Sequence, residues 1–249
     1  MTTRRFAIAP DQRQGDQVTF DREESRHLAR VLRMTPGDTV VAVDGSGRDY
    51  TVRLDTVAAE VTGTIVGVAT RDSESPFAIT LVQGLPKGDK LETVIRAATE
   101  LGVARIAPVS TARAVVRLDP ARVAARMTRW ERVAREAAKQ CGRSRLPVIE
   151  APRPLADWLG EPAAADTLRV CLWEDERAPL AGVLTALTTT PARAIAAVGP
   201  EGGLTREEAE LARRAGWHVV GFGPRLLRTE TAGPAIVAAL QFRFGDLGR

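Results

Sequence analysis

Two short tracts in the last third of the chain carry the residue types that build ligand-binding loops. The first, Gly199-Pro200-Glu201-Gly202-Gly203-Leu204-Thr205, follows the apolar run Ala194-Ile195-Ala196-Ala197-Val198. The second is Gly221-Phe222-Gly223-Pro224-Arg225-Leu226-Leu227-Arg228-Thr229-Glu230-Thr231-Ala232. Glycines let a backbone approach a ligand closely and expose its N–H and C=O groups. A loop leaving the C-terminal end of a buried strand is where an α/β sheet binds small molecules. The first loop lacks the GK[ST] of a phosphate-binding loop and does not fit GxGxxG, which disfavours triphosphates and dinucleotides. Judged by glycine content alone it is also a tight strand-to-helix turn. Two such loops in succession, with Leu226 and Leu227 as apolar residues in the second, favour a pocket.

The elements that must hold these loops are legible from periodicity. Ala78–Gln83, Arg105–Val109, Arg169–Trp173, Ala194–Val198 and His218–Phe222 are short apolar runs that read as strands. Helices are expected at Gly88–Leu101, Pro120–Gln140, Arg206–Ala215 and Pro234–Phe244. Thr205 with Glu208 forms the pattern of a capping box and sets the start of the third. Strands alternating with helices mean an α/β domain with a mainly parallel sheet. The first 70 residues differ: Thr39–Val43, Tyr50–Leu54 and Thr62–Val68 are β-branched strands, with one short helix at Ser25–Leu32, suggesting a small β-barrel or sandwich. The polar stretch 71–76 ends in proline and reads as the linker, giving domains 1–72 and 73–249.

Composition narrows the class. The chain has 249 residues, 44% hydrophobic and 27% charged, as in an ordinary globular protein. No apolar run is long enough to span a membrane, and no apolar signal core follows Met1–Phe6, so a cytoplasmic location is expected. Two cysteines (Cys141, Cys171) and two histidines (His27, His218) form no metal-ligand spacing, so no metal is expected. Lys/Arg against Asp/Glu number 10 to 11 over residues 1–72, 14 to 8 over 73–150 and 11 to 12 over 151–249. The basic excess in the middle third suits a phosphate-rich partner, or an ordinary solvated surface in an arginine-rich chain. In the middle helix Val123, Met127, Trp130, Ala134, Ala137 and Cys141 form one apolar stripe, while Arg122, Arg126, Arg129, Arg132, Arg135 and Lys139 fall away from it. Lys139-Gln140-Cys141-Gly142-Arg143-Ser144-Arg145 extends the cationic side.

Taken together, Gly199–Gly203 and Leu226-Leu227-Arg228-Thr229-Glu230-Thr231-Ala232 resemble the signature of SPOUT-class methyltransferases. The chain is similar to the bacterial 16S ribosomal RNA (uracil-N3) methyltransferase family along its length. His27-Leu28, Val31-Leu32-Arg33 and Gly37-Asp38 are similar to that family's PUA-like RNA-binding domain, and Lys87-Gly88-Asp89-Lys90 with Gln140–Arg143 to its middle motifs. Thr111-Ala112-Arg113-Ala114 departs from it, lacking an acidic residue before the arginine and a serine after it. The resemblance implies a C-terminal domain threaded into a trefoil knot, a rare exception to unknotted topology. It also implies a homodimer, small-subunit ribosomal RNA as substrate and S-adenosylmethionine as cofactor.

The reaction implied is methyl transfer to N3 of a uridine. Val198, Gly199, Pro200, Gly202, Gly203, Gly223, Leu226, Leu227, Arg228, Thr229, Thr231 and Ala232 are then cofactor-pocket candidates, with Leu172 and Trp173 secondary. Because N3 carries a proton, a base or an anion-stabilising cation is needed. Arg228 suits the cation, Glu230 is the first carboxylate candidate and Glu201 the second. The alternative for Glu230 is an N-cap or an ion pair with Arg225 or Arg228. Arg4, Arg26, Arg30, Arg33, Lys87, Lys90, Lys139, Arg143 and Arg145 are candidates for RNA contact. A different RNA position, a ribose oxygen as acceptor, and a non-catalytic RNA-binding assembly factor remain as alternatives.

Overall fold

The computed structural model describes residues 5–70, 73–114 and 120–248. Arg4, a candidate RNA contact, lies outside them. The chain divides into two compact units, Met1–Glu74 with Arg135–Leu146, and Ser75–Ala134 with Pro147–Arg249. Segment 135–146, expected within the second domain, thus packs with the first.

In the first unit, β1 (Arg5–Ala7), β2 (Arg13–Gln14), β3 (Gln17–Phe20), β4 (Thr39–Val43), β5 (Arg48–Val57) and β6 (Val61–Thr70) form one sheet in the order β1-β4-β5-β6-β3-β2. All pairs are antiparallel except β1 with β4. The sheet curls around Phe6, Val18, Phe20, Leu28, Val52 and Leu54, all buried. The helix expected over Ser25–Leu32 is α1 (Arg22–Arg26) followed by a π-helical turn over His27–Val31. It starts earlier because the Asp21 side chain accepts the Glu24 N–H and caps it.

The second unit holds β7 (Ala78–Gly84), α2 (Lys90–Glu100), β8 (Arg105–Ser110), α3 (Pro120–Cys141), β9 (Val148–Ile149), β10 (Arg153–Pro154), α4 (Leu155–Gly160), β11 (Thr167–Leu172), α5 (Leu180–Ala186), β12 (Arg193–Val198), α6 (Arg206–Arg214), β13 (His218–Val220) and α7 (Thr229–Phe244). The last residues of α3 pack with the first unit. Its sheet is wholly parallel, ordered β10-β8-β7-β12-β11-β13 with β9 also on β8. Alternation along the strands buries both faces. Ile79, Leu81, Val170 and Ala196 meet α2 and α7 on one face, through Val94, Ile95, Ile236 and Leu240. Val82, Ala107, Cys171 and Ala197 meet α4 and α6 on the other, with Trp158, Ala209 and Ala212. Of the apolar stripe of α3, Trp130, Ala134 and Ala137 are buried and Met127 packs partly against the core, whereas Cys141 is exposed.

β13 lies at the sheet edge beyond β11, yet α7 packs back on β7 and β12. The intervening chain must therefore cross β11. It does so against the loop after that strand, where the Gly221 N–H donates to the Ala178 carbonyl at 2.8 Å. This is the crossing that the implied knot requires. The last helix begins at Thr229 and not at Pro234, which lies inside it. The rule that places proline in a first helical turn misleads here. The Arg228 carbonyl already accepts the Thr231 and Ala232 N–H groups, so the helix nucleates a turn earlier.

Candidate functional site

β12 ends at Val198, and the first glycine-rich loop turns directly over the end of β7. A Cβ on Gly84 would lie 2.5 Å from the Pro200 nitrogen, so only glycine permits this approach. Beyond it, Gly203 has φ +68°, and a Cβ there would overlap the Glu174 carboxylate. The Arg113 guanidinium donates to the Gly202 carbonyl at 3.1 Å and lies 3.8 Å from Glu174. The loop thus runs between Arg113 and Glu174 and enters α6 through the expected capping box. Thr205 Oγ1 accepts the Glu208 N–H at 3.2 Å, and Glu208 accepts the Thr205 N–H at 2.8 Å. The other Glu208 oxygen accepts the Ala112 N–H at 2.8 Å, which docks the loop after β8 on the same segment.

The second loop, between β13 and α7, is open. Gly223 has φ +85° with no atom within 4 Å of a Cβ position. Leu226 is 84% exposed and Leu227 partly buried. Arg225 and Arg228 are exposed. Thr229 is buried, and its hydroxyl donates to the Gly199 carbonyl at 2.6 Å. The two loops are therefore joined at their roots. Leu172 and Val198 are buried in the core of the sheet, and Trp173 donates its indole N–H to the Leu204 carbonyl at 3.3 Å. Thr231 is exposed, while Ala232 packs partly against the core.

Two carboxylates flank one ammonium at the same edge. Lys90 Nζ is 2.9 Å from Glu201 and 3.7 Å from Glu230 Oε2. Glu201 also accepts the Lys87 backbone N–H at 3.1 Å. Burial opposes ionisation of Glu201, but the Lys90 hydrogen bond and backbone N–H groups outweigh it and hold its pKa below the ordinary carboxylate value. The hydrogen bond that Lys90 donates to Glu201, reinforced by both negative charges, raises the Lys90 pKa. Glu230 Oε2 is buried and, among the described residues, has no hydrogen-bond partner. Its ion-pair partner is Lys90, not Arg225 or Arg228. Cys171 is no nucleophile, since burial pushes its thiol up to about 12.

Two expected RNA contacts are instead committed inside the first unit. Lys139 Nζ is 2.6 Å from Glu24, a buried carboxylate, and 5.2 Å from the centre of the Phe6 ring. Arg143 is 7% exposed and donates through Nε and Nη2 to Glu74 at 3.1 and 2.7 Å. Both partners are distant in sequence, so a local count of cations misreads them. Lys90 is also paired, by Glu201 and Glu230. Arg26, Arg30 and Arg33, on and after α1, are exposed, as are Lys87 and Arg145. Gln83, Arg113 and Glu174 were not among the expected site residues. A glutamine at the end of the mainly apolar run Ala78–Gln83 is the available signal for the first, and the Thr111–Ala114 motif for the second.

A family model described as RNA methyltransferase domain matches residues 73–241, and one described as RNA methyltransferase PUA domain matches residues 20–56. Ribosomal RNA small subunit methyltransferase E of Synechocystis is 33% identical over 235 residues, covering 94% of this chain and 76% of the relative. The Bacillus subtilis protein of that name is 31% identical over 225 residues, covering 89% and 88%. The crystal structure of ribosomal RNA small subunit methyltransferase E from Neisseria gonorrhoeae bound to S-adenosyl methionine is 31% identical, with a TM-score of 0.87 over 98% of this chain and 99% of that one. A methyltransferase from Legionella pneumophila with bound S-adenosylmethionine is 30% identical, with a TM-score of 0.89 over 99% and 100%.

Proposed function

The chain belongs to the RNA methyltransferase family, and from that premise we propose that it methylates N3 of a uridine in 16S ribosomal RNA, with S-adenosylmethionine as methyl donor. The observation that carries the reading is the pair of glycine-rich loops joined at their roots by Thr229 and Gly199 at the C-terminal end of the parallel sheet. The residues fit such a cofactor. Gly223 leaves open space and Leu226 and Leu227 offer apolar faces, while Gly202 and Gly203 let the first loop pass closely between Arg113 and Glu174. Leu172 and Val198 have their side chains in the core, so their contribution is through backbone groups. When bound, the cofactor supplies an electrophilic methyl group on its sulfonium.

The chain's own work is to hold the base and move a proton. Glu230 is the proton acceptor: its Oε2 is buried, meets Lys90 Nζ only at 3.7 Å and has no closer hydrogen-bond partner among the described residues. Glu201 is already engaged by Lys87 and Lys90 and serves to fix the first loop. Arg228, exposed beside Glu230 at the start of α7, stabilises the negative charge that develops as N3 loses its proton. Transfer forms the N3–methyl bond as the sulfur–methyl bond breaks, and the N3 proton passes to Glu230.

RNA is held by exposed cations, with Arg26, Arg30, Arg33, Lys87 and Arg145 as the contacts. The functional unit is a homodimer. Supporting this, α7 carries the exposed aromatic Phe242 (70%) on a helix that is apolar on nearly every side. A cytoplasmic location is inferred from the ribosomal RNA substrate. Among the described residues no helix is long and apolar enough to cross a membrane. The test is incubation with small ribosomal subunits and methyl-labelled S-adenosylmethionine, followed by mass spectrometry of nucleosides. Labelled 3-methyluridine is expected. Label on a ribose oxygen, or none, would overturn the assignment.

A further inference from the structure

Gln83 is wholly buried near the end of β7, a central strand flanked by β8 and β12. A buried amide costs free energy unless its groups are hydrogen-bonded, and an apolar residue would fill this position without that penalty. Its Nε2 donates to Thr229 Oγ1 at 2.8 Å and to the Gly84 carbonyl at 3.2 Å. The direction of this chain is set by proton count. A hydroxyl has one proton, and Thr229 gives it to the Gly199 carbonyl at 2.6 Å. Thr229 must therefore accept at its other side, which requires a donor there. Among the described residues the amide nitrogen of Gln83 meets that need, while Gln83 Oε1 is buried over Gly233 without a hydrogen-bond partner, where a Cβ would come within 2.5 Å.

We propose that Gln83 is a positioning residue for methyl transfer: it aims the Thr229 hydroxyl at Gly199 and so sets the spacing of the two cofactor loops. Thr229 follows the second loop and Gly199 opens the first, while Gly84 lies against Gly199-Pro200. A single buried side chain thus registers three elements, β7, the loop after β12, and the start of α7. The inference rests on the cofactor reading above and deepens it, because it assigns affinity for the methyl donor to a residue that touches neither donor nor RNA.

The test uses the full chain with Gln83→Leu, Thr229→Val and the double variant, measuring S-adenosylmethionine affinity by calorimetry and KM for cofactor and for RNA. Each single variant is expected to weaken cofactor binding about tenfold, the size of one buried hydrogen bond. KM for RNA should stay within about twofold of wild type, and the double variant should bind no worse than the weaker single one, as members of one chain do. Gln83→Glu keeps the volume and supplies a further readout. Its carboxyl can donate only when protonated, so cofactor affinity should fall as pH rises through the raised pKa of that buried group. Single variants that melt earlier but bind cofactor like wild type overturn the proposal, as does an additive double variant. Wild-type protein that binds no S-adenosylmethionine overturns the cofactor reading itself, a result distinct from normal wild-type binding with unaffected variants.

Discussion

Arg143→Met separates a structural cation from an RNA contact. Arg143 gives two hydrogen bonds to one Glu74 oxygen, and the other oxygen accepts the Ser144 and Arg145 N–H groups at 3.2 and 3.0 Å. Methionine keeps much of the buried stem and removes the charge. Breaking a buried pair from one side costs about 3–5 kcal/mol. Glu74 keeps its two backbone donors and some access to water, which places the expected loss at or below the lower end of that range, about 2–3 kcal/mol. For a chain of this length each kcal/mol lowers Tm by about 2–4 °C, so a fall of roughly 5–10 °C is expected. The assay is thermal unfolding of the variant beside RNA affinity measured well below the transition. Affinity within twofold of wild type with a lowered Tm is the expected pair of results. An unchanged Tm with a tenfold loss of RNA affinity would refute the argument and return Arg143 to the RNA surface.

Three further perturbations follow from the same contacts. Lys139→Met should cost about 3 kcal/mol in urea unfolding by stranding Glu24, and adding Glu24→Gln should recover most of it; two additive losses would contradict this. Burial raises the Glu24 pKa against the pull of Lys139. A raised folded pKa gives stability that is present below the ordinary carboxylate value and lost as pH rises through the folded one, so Lys139→Met should gain stability relative to wild type on acidification. Glu201 has the opposite sign: its lowered pKa means its contribution is present above the ordinary value and lost as pH falls through the folded one, by less than about 1 kcal/mol for this half-exposed pair, and Glu201→Gln should remove that dependence. Gly202→Val places a side chain against Arg113, where a Cβ already comes within 3.1 Å, and should abolish cofactor binding; unchanged affinity by calorimetry would argue against the pocket.

What was legible in the sequence was local. The capping box at Thr205 and Glu208 needs only four residues to be read, and both hydrogen bonds are present. The strand runs Ala78–Gln83 and Ala194–Val198 show their burial directly in composition. The start of α7 was misread because it depends on Arg228 and a tie to Gly199, 30 residues earlier, while Pro234 is the conspicuous local signal. The carboxylate partners of Lys139 and Arg143 are hidden from the sequence for a similar reason. They lie 115 and 69 residues away, and a cationic window cannot reveal that its charges are already matched. Gln83 and Thr229 are 146 residues apart, so their pairing appears only once the chain has crossed back over β11.

The most direct test of the account is the ribosomal RNA itself. Small-subunit RNA from a strain lacking this gene should lose one 3-methyluridine by nucleoside mass spectrometry. Wild-type protein should restore it, and Glu230→Gln should not. RNA that keeps its full complement of 3-methyluridine in the deletion strain would contradict the assignment.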